Sequence, residues 1–292
     1  MARTPRSLTG KAAVVTGGGR GIGAATARAL AAQGVRVAIG DLDLDTARDT
    51  ASSLGSESIA LRLDVTDRPG FTAFLDDVER RLGAIDILVN NAGIMPVVRA
   101  DEEPDAGIIR QIELNLHGVI HGTAEAMRRM KPRGTGHIVN IASAAGKNGF
   151  PGLATYCATK HGVVGYSEAV RGELRGTGVE VTVVMPSLVA TELTSGIKDA
   201  RGVKRVSPED VANAIVAALR VPKFDVFVPR ETGVIVRVTG ILPRALREGV
   251  ARALKADTIL LDAAGSPERA AYEARAAASA PAAEAVVEES AA

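Results

Sequence analysis

Two groups of residues in this 292-residue chain are of a kind and spacing that could do chemistry. The first is Thr16-Gly17-Gly18-Gly19-Arg20-Gly21-Ile22-Gly23, which follows an apolar run and opens a helical pattern. Glycines let the backbone turn sharply and approach a pyrophosphate, whose charge a helix N-terminus stabilises. Such a turn alone is as consistent with a structural role as with a binding one. Asp41 strengthens the binding role, because it follows the next apolar run about 20 residues on, where a carboxylate accepts hydrogen bonds from the adenosine ribose hydroxyls and repels a 2′-phosphate. That favours NAD over NADP, although Arg20, a cation inside the turn, pulls the other way. Asp43 and Asp45 read as helix-start residues. The second group is Ser143, Tyr156 and Lys160. Positions i and i+4 of a helix share one face, so Tyr156 and Lys160 can address one ligand, with Ser143 brought in from a strand end. A chance Tyr-x-x-x-Lys is expected roughly 0.08 times in a chain of this composition, and roughly 0.004 times with a serine at the set spacing, so coincidence is a poor account of all three.

The elements that must position these groups are legible as an alternation. Short apolar β-prone runs at residues 12–15, 35–39, 59–63, 85–90, 137–141, 179–184 and 226–228 are separated by helical spacing at 21–33, 46–54, 70–82, 106–130, 155–177 and 208–219. The runs are apolar on both faces, which suits a parallel sheet covered on both sides. The expected fold is therefore α/β: a doubly wound, parallel, seven-stranded Rossmann sheet with helices on both faces and a C-terminal helical extension. Ligands of such sheets bind beyond the carboxyl ends of the strands, and the suggestive residues fall there. Asp64 and Val65 follow the third strand, where an adenine edge would lie, with a helix N-cap as the alternative. Asn90-Asn91-Ala92-Gly93 follows the fourth; it lets the chain pass close to a flat ligand or forms a structural turn.

Composition removes other classes of function. Lys and Arg number 35 against 34 Asp and Glu, a net charge of +1, which argues against nucleic acid as the main partner. The single cysteine, Cys157, excludes a disulfide framework and a cysteine zinc site and fits a reducing compartment. It flanks Tyr156 but points off that face, so packing is its expected role. His117, His121 and His161 lack metal-ligand spacing, and no metal is expected. With no apolar run of 18 residues and no signal-peptide core, the expectation is a cytoplasmic protein. Three regions are expected: an NAD(P)-binding catalytic domain over 1–230, a helical extension over 231–262, and an Ala/Glu-rich tail over 263–292, which from Ser266 reads as a frayed helix passing into disorder. Within the extension, Val234, Val238, Ile241 and Ala245 alternate with Arg237, Arg244, Arg247, Arg252 and Lys255, predicting one helix over 233–255. That helix covers the substrate mouth, packs at a subunit interface, makes peripheral contact with an anionic membrane surface, or is an ordinary appended core helix.

The glycine turn at 16–23, the Asn90-Asn91-Ala92-Gly93 turn, Asn115, Ser143, Tyr156 and Lys160 together resemble the short-chain dehydrogenase/reductase family, in its common single-domain branch, over about residues 8 to 230. The resemblance implies metal-free, NAD(P)-dependent interconversion of an alcohol and a ketone, in a homodimer or homotetramer formed through 106–130 and 155–177. It implies that Tyr156 is the general acid/base, its phenol lowered by about 1–3 units by the Lys160 cation. Lys160 would also hold the nicotinamide ribose, Ser143 would donate to the substrate oxygen, and Asn115 would hold a water linking Lys160 to solvent. The implied cofactor site comprises Gly17, Gly19, Arg20, Gly21, Ile22, Gly23, Asp41, Leu42, Asp64, Val65, Asn91, Ala92, Gly93, Tyr156, Lys160, Pro186, Val189 and Thr191, the last on the carboxamide. One departure stands out: the family usually has Pro-Gly where this chain has Pro186-Ser187. An NADP-dependent carbonyl reductase is the nearest rival. A non-catalytic nucleotide-binding regulator is a second, disfavoured because a sensor needs no proton relay. The loops expected to set specificity offer Met95, Pro96, Val97, Val98, Phe150, Leu153, Leu188, Val189, Leu193 and Ile197, so a bulky apolar alcohol or ketone, steroid-, retinoid- or fatty-chain-like, is the expected substrate. Lys198, Arg201, Lys204 and Arg205 form a basic cluster that steers an acidic substrate or simply solvates a lid.

Overall fold

The computed structural model describes residues 4–55, 57–197, 205–253 and 259–278. Seven strands form one parallel sheet: β1 (Ala12–Thr16), β2 (Arg36–Asp41), β3 (Ile59–Arg62), β4 (Ile87–Asn90), β5 (Gly136–Ile141), β6 (Val179–Pro186) and β7 (Asp225–Val228), in the order β3-β2-β1-β4-β5-β6-β7. The helices between them are α1 (Gly21–Ala31), α2 (Leu44–Ser52), α3 (Arg68–Leu82), α4 (Asp105–Ile112), α5 (Gly118–Met130), α6 (Ala154–Glu173) and α7 (Pro208–Arg220).

Strand periodicity decides which helix covers which face. Ala13 and Val15 of β1 point to the side closed by Leu30 of α1 and by Val211, Ile215 and Leu219 of α7. Ala12 and Val14 point to the other side, closed by Phe71, Leu75 and Val78 of α3, Met130 of α5 and Val170 of α6. Both faces of β1 are thus buried, which is why its sequence does not alternate. Local signals agree with the packing: α7 opens with a Ser207/Asp210 capping box and a proline in its first turn, and Asp43 caps α2 by accepting from the Thr46 amide. The order reverses between β1 and β4, and the cleft beyond their carboxyl ends is where such a sheet binds ligands.

Three expectations need correction. The helix read over 106–130 contains one π-helical turn, Glu113–His117, between α4 and α5. Its Asn115 side chain is pulled inward to the Ile94 main chain, and a wider turn accommodates that pull. The helix read over 233–255 is two helices, α8 (Arg230–Ile241) and α9 (Arg244–Ala253). Pro243 lacks an amide and drives the preceding Leu242 into extended backbone, ending α8 there. Lys255 lies outside the described residues, as do Lys198, Arg201 and Lys204. Finally, the helix read as frayed from Ser266 is packed into the fold. It is α10 (Pro267–Ala278), whose Arg269, Tyr272 and Ala276 lie on one buried face because helical positions three and four apart align. Residues 279–292 are outside the described residues.

Candidate active site

The first half of the site is the turn after β1. Gly17 and Gly21 have φ of +60° and +52°, the left-handed region that favours glycine. Gly23 admits no side chain, since a Cβ there would lie 2.1 Å from the Gly17 carbonyl oxygen and 2.6 Å from Asn91 Nδ2. Asn91 is spent on this join: its Nδ2 donates to the Thr16 and Gly17 carbonyl oxygens at 3.0 and 2.9 Å, and its amide donates to Thr16 Oγ1. The N-terminus of α1, with no acidic residue in its first turn, therefore faces a cleft bounded by bare backbone. This cradle fits a dinucleotide pyrophosphate.

Asp41, at the end of β2, accepts from the Gly19 amide at 2.9 Å and the Asp43 amide at 3.1 Å. Burial pushes its carboxyl above the usual range, and those two amides oppose the shift. Arg20 is engaged by acids: its guanidinium donates to Asp43 at 2.7 Å and lies 3.8 Å from a Glu192 oxygen. Asp64 accepts from the Thr66 amide and hydroxyl in a local turn; it is not the helix N-cap offered as its alternative, since Asp67 precedes the first residue of α3. Leu42, Val65 and Ile22 complete the apolar lining, and Thr191 packs against Gly21. Sequence reasoning missed Arg110, a buried guanidinium that lines the cavity in the field of Asp64 and Glu113.

The second half follows β5. Ser143, in extended backbone, accepts from the Ala145 amide at 3.1 Å and hydrogen-bonds Tyr156. Tyr156 and Lys160 are both buried on α6. Lys160 Nζ donates to the Ile141 carbonyl oxygen at 2.9 Å and lies 5.6 Å from the Tyr156 ring centre. The electrostatics differ from the sequence expectation. Burial pushes the Tyr156 phenol up to about 12, with only the Ser143 bond pulling it back. Burial also brings the Lys160 ammonium down to about 8. In the protein alone, desolvation outweighs the attraction that was expected to acidify the phenol.

Asn115 is buried, and its side-chain amide is committed: Nδ2 donates to the Ile94 carbonyl oxygen and Oδ1 accepts from the Ile94 amide, both at 2.8 Å. A water held by Asn115 would therefore have to use its main-chain carbonyl. Gly93 sits between, where a Cβ would be 2.9 Å from Asn115 Oδ1 and 3.7 Å from Lys160 Nζ. Cys157 is a buried thiol that burial pushes up, packed among Leu153, Ile197 and Leu260. Ser187 lines the cavity with its hydroxyl buried and without a hydrogen-bond partner.

Both halves open into one cavity of about 1240 Å³. Gly17, Asp41, Asn91 and Ala92 line one end, Ser143, Tyr156, Lys160 and Pro186 the other. Val189 also lines it, held by a bridge to Val206. The wall around Tyr156 is apolar: Met95, Phe150, Leu153, Leu188, Leu193 and Ile197 come from the anticipated loops. Ile235 and Val236 of α8 also line it, in keeping with the reading of the 233–255 segment as a cover for the substrate mouth, whereas Ile259 and Leu260 beyond α9 were not anticipated. Their distance in sequence from the motifs left no local signal.

Residues 11–202 match the short chain dehydrogenase family, and the chain belongs to that family of oxidoreductases. It is 39% identical over 229 residues to the glycine betaine reductase ATRR of Emericella nidulans, a match that takes in 74% of this chain but 18% of that much longer protein. Its structure resembles a short chain dehydrogenase/reductase from Burkholderia phymatum in complex with NAD, with a TM-score of 0.75 and 26% identity over 80% of this chain and 94% of that one. It also resembles the 3-ketoacyl-(acyl-carrier-protein) reductase of Brucella melitensis complexed with NADH, with a TM-score of 0.70 and 28% identity over 76% of this chain and 98% of that one.

Proposed function

We propose that the protein is an NAD-dependent oxidoreductase that interconverts a bulky apolar secondary alcohol and the corresponding ketone. The observation that carries this is the single cavity joining the glycine turn and Asp41 to Ser143, Tyr156 and Lys160. NAD, when bound, supplies the hydride exchange. The residues of the chain bind, orient and move a proton. The α1 N-terminus and its glycine turn hold the pyrophosphate, and Asp41 holds the ribose hydroxyls. Preference for NAD over NADP is supported by Asp41 together with the engagement of Arg20 by Asp43 and Glu192, which leaves a 2′-phosphate facing carboxylates.

In the reducing direction the Tyr156 hydroxyl gives its proton to the carbonyl oxygen; in the oxidising direction the phenolate takes it back. A phenol at about 12 is fully protonated near neutral pH and ready to donate. Ser143 donates to the same substrate oxygen as charge develops there, and the Lys160 ammonium lowers the cost of the phenolate left behind. A bulky apolar substrate is supported by the apolar wall around Tyr156. Offering NADH with apolar ketones and, separately, NAD with polyols tests this; turnover confined to polyols rejects it.

Self-association through α4, α5 and α6 is part of the proposal, supported by Ile109, which stands 59% exposed on α4. Peripheral contact of α8 with an anionic membrane is supported by outward Val234, Val238 and Ile241 beside Arg237. Co-sedimentation with phosphatidylserine vesicles tests it, and full-length protein left in the supernatant rejects it.

A further inference from the structure

α10 lies beyond the matched residues, yet it is bonded from behind to the two loops whose Met95 and Leu193 line the cavity. Arg269 is 1% exposed. Its Nη2 donates to the Met95 carbonyl oxygen at 2.9 Å, in the loop after β4. Its Nη1 donates to the Leu193 and Ser195 carbonyl oxygens at 2.9 and 3.0 Å, in the loop after β6. Its Nε is held by Glu273 of the same helix at 2.9 Å. Glu273 also accepts from the Val97 amide at 3.3 Å, and the Tyr272 hydroxyl accepts from the Met95 amide at 2.7 Å. The Leu193 loop is pressed onto the same helix: a Cβ at Gly196, whose φ is +71°, would lie 2.5 Å from Ser266 Oγ and 3.0 Å from Arg269 Cγ.

Met95 and Leu193 both line the cavity. A guanidinium carries its donors in one rigid plane, so bonding carbonyls from two loops at once fixes their separation. Apolar packing would attach a helix without that constraint, and burying a cation is costly unless its donors are met. A buried arginine here is therefore explained by position rather than adhesion.

We propose that Arg269 is a positioning residue for the substrate. It spaces the Met95 and Leu193 loops, sets the width of the apolar slot beside Tyr156, and so decides the bulk of the carbonyl compound admitted. The proposal rests on Tyr156 marking the reacting end of the cavity. It predicts that removing the Arg269 bonds changes substrate binding more than cofactor binding, whose Gly17 and Asp41 anchors lie at the other end of the cavity.

The test is an equilibrium titration of full-length protein with a fluorescent, solvatochromic aryl ketone of the propionyl-dimethylaminonaphthalene type, whose emission reports entry into an apolar slot without turnover. NADH affinity is measured in parallel. Arg269→Met is expected to weaken the aryl ketone about tenfold or more, with NADH affinity held within about twofold. Arg269→Lys, a point cation that cannot bridge both loops, is expected to stay close to Arg269→Met. Tyr272→Phe, which removes only the Met95 bond, is expected to weaken the ketone about threefold. In steady-state assays KM for a bulky ketone rises, while kcat for a small one is unchanged. Wild-type ketone affinity in Arg269→Met, rescue by Arg269→Lys, an equal loss of NADH affinity, or failure of the wild-type protein to bind the ketone overturns the proposal. If Arg269→Met does not unfold cooperatively, Tyr272→Phe decides, and undiminished ketone affinity there overturns it. Absence of turnover with every carbonyl compound defeats the assignment of Tyr156, while the ketone titration still judges the clamp.

Discussion

The Lys160 ammonium nitrogen lies 5.6 Å from the centre of the Tyr156 ring and is tethered at 2.9 Å to the Ile141 carbonyl oxygen at the end of β5. Burial holds the phenol near 12 and the ammonium near 8. Carbonyl reduction needs the phenol protonated, which holds up to about 12, and the ammonium charged, which is lost above about 8. We predict that kcat/KM for ketone reduction falls as pH rises through about 8. In Lys160→Arg, whose cation does not titrate there, that limb moves to higher pH in whatever activity remains. A limb at the same pH in both proteins rules out Lys160 as its source.

The same shift predicts stability. Folding lowers the Lys160 pKa from 10.5 to about 8, so between those values the unfolded chain binds the extra proton and stability rises with pH. Near pH 7 the buried cation is a cost. Lys160→Met is expected to stabilise the cofactor-free protein by about 2 kcal/mol there, after allowing for the lost Ile141 bond. The gain should shrink as pH climbs toward 10.5. Urea denaturation at neutral and alkaline pH measures it; a variant less stable at both contradicts the assignment of that cost to Lys160.

Cofactor choice follows from the end of β2. Asp41 is held in place by the Gly19 and Asp43 amides, and Arg20 is engaged by Asp43. A 2′-phosphate near such a carboxylate costs about 3 kcal/mol, so NADH is expected to bind about 100-fold more tightly than NADPH. Asp41→Asn should narrow that ratio to about tenfold or less by strengthening NADPH binding. Fluorescence titration of both reduced nucleotides reads the ratio directly, and a wild-type preference for NADPH reverses the assignment of Asp41.

A buried polar chain holds the two motifs in register. Asn90 Nδ2 of β4 donates to Asn140 Oδ1 of β5 at 2.8 Å, and Asn140 Nδ2 donates to Ser167 Oγ of α6 at 2.9 Å. Asn140→Ala leaves both neighbours short of a partner in the interior. It is expected to cost about 2–4 kcal/mol in urea unfolding and to lower kcat, because α6 carries Tyr156 and Lys160. A loss below about 1 kcal/mol would mean that the chain is not what fixes α6.

Features that are local in sequence were legible before folding. The runs that became β1 to β7, the glycine turn, and Tyr156 and Lys160 one helical turn apart each depend on neighbours within a few residues. What was misread depends on partners far along the chain. Arg269 is bonded to Met95, 174 residues away, so its Ala- and Glu-rich surroundings read as tail. The π turn around Asn115 answers to Ile94 across the cleft. The high phenol of Tyr156 comes from burial, a property of the whole fold that i+4 spacing cannot report. Pro243 was a local signal and was overridden by the apolar periodicity on either side of it.

The most direct measurement is nicotinamide absorbance during a single turnover of full-length wild-type protein and Tyr156→Phe, each loaded with NADH and mixed with a panel of apolar ketones. The account predicts oxidation of NADH by the wild-type protein and a rate lower by about 1000-fold in Tyr156→Phe, measured with NADH saturating in both. Equal rates in the two proteins, with NADH bound in both, would contradict the assignment of proton transfer to the Tyr156 hydroxyl.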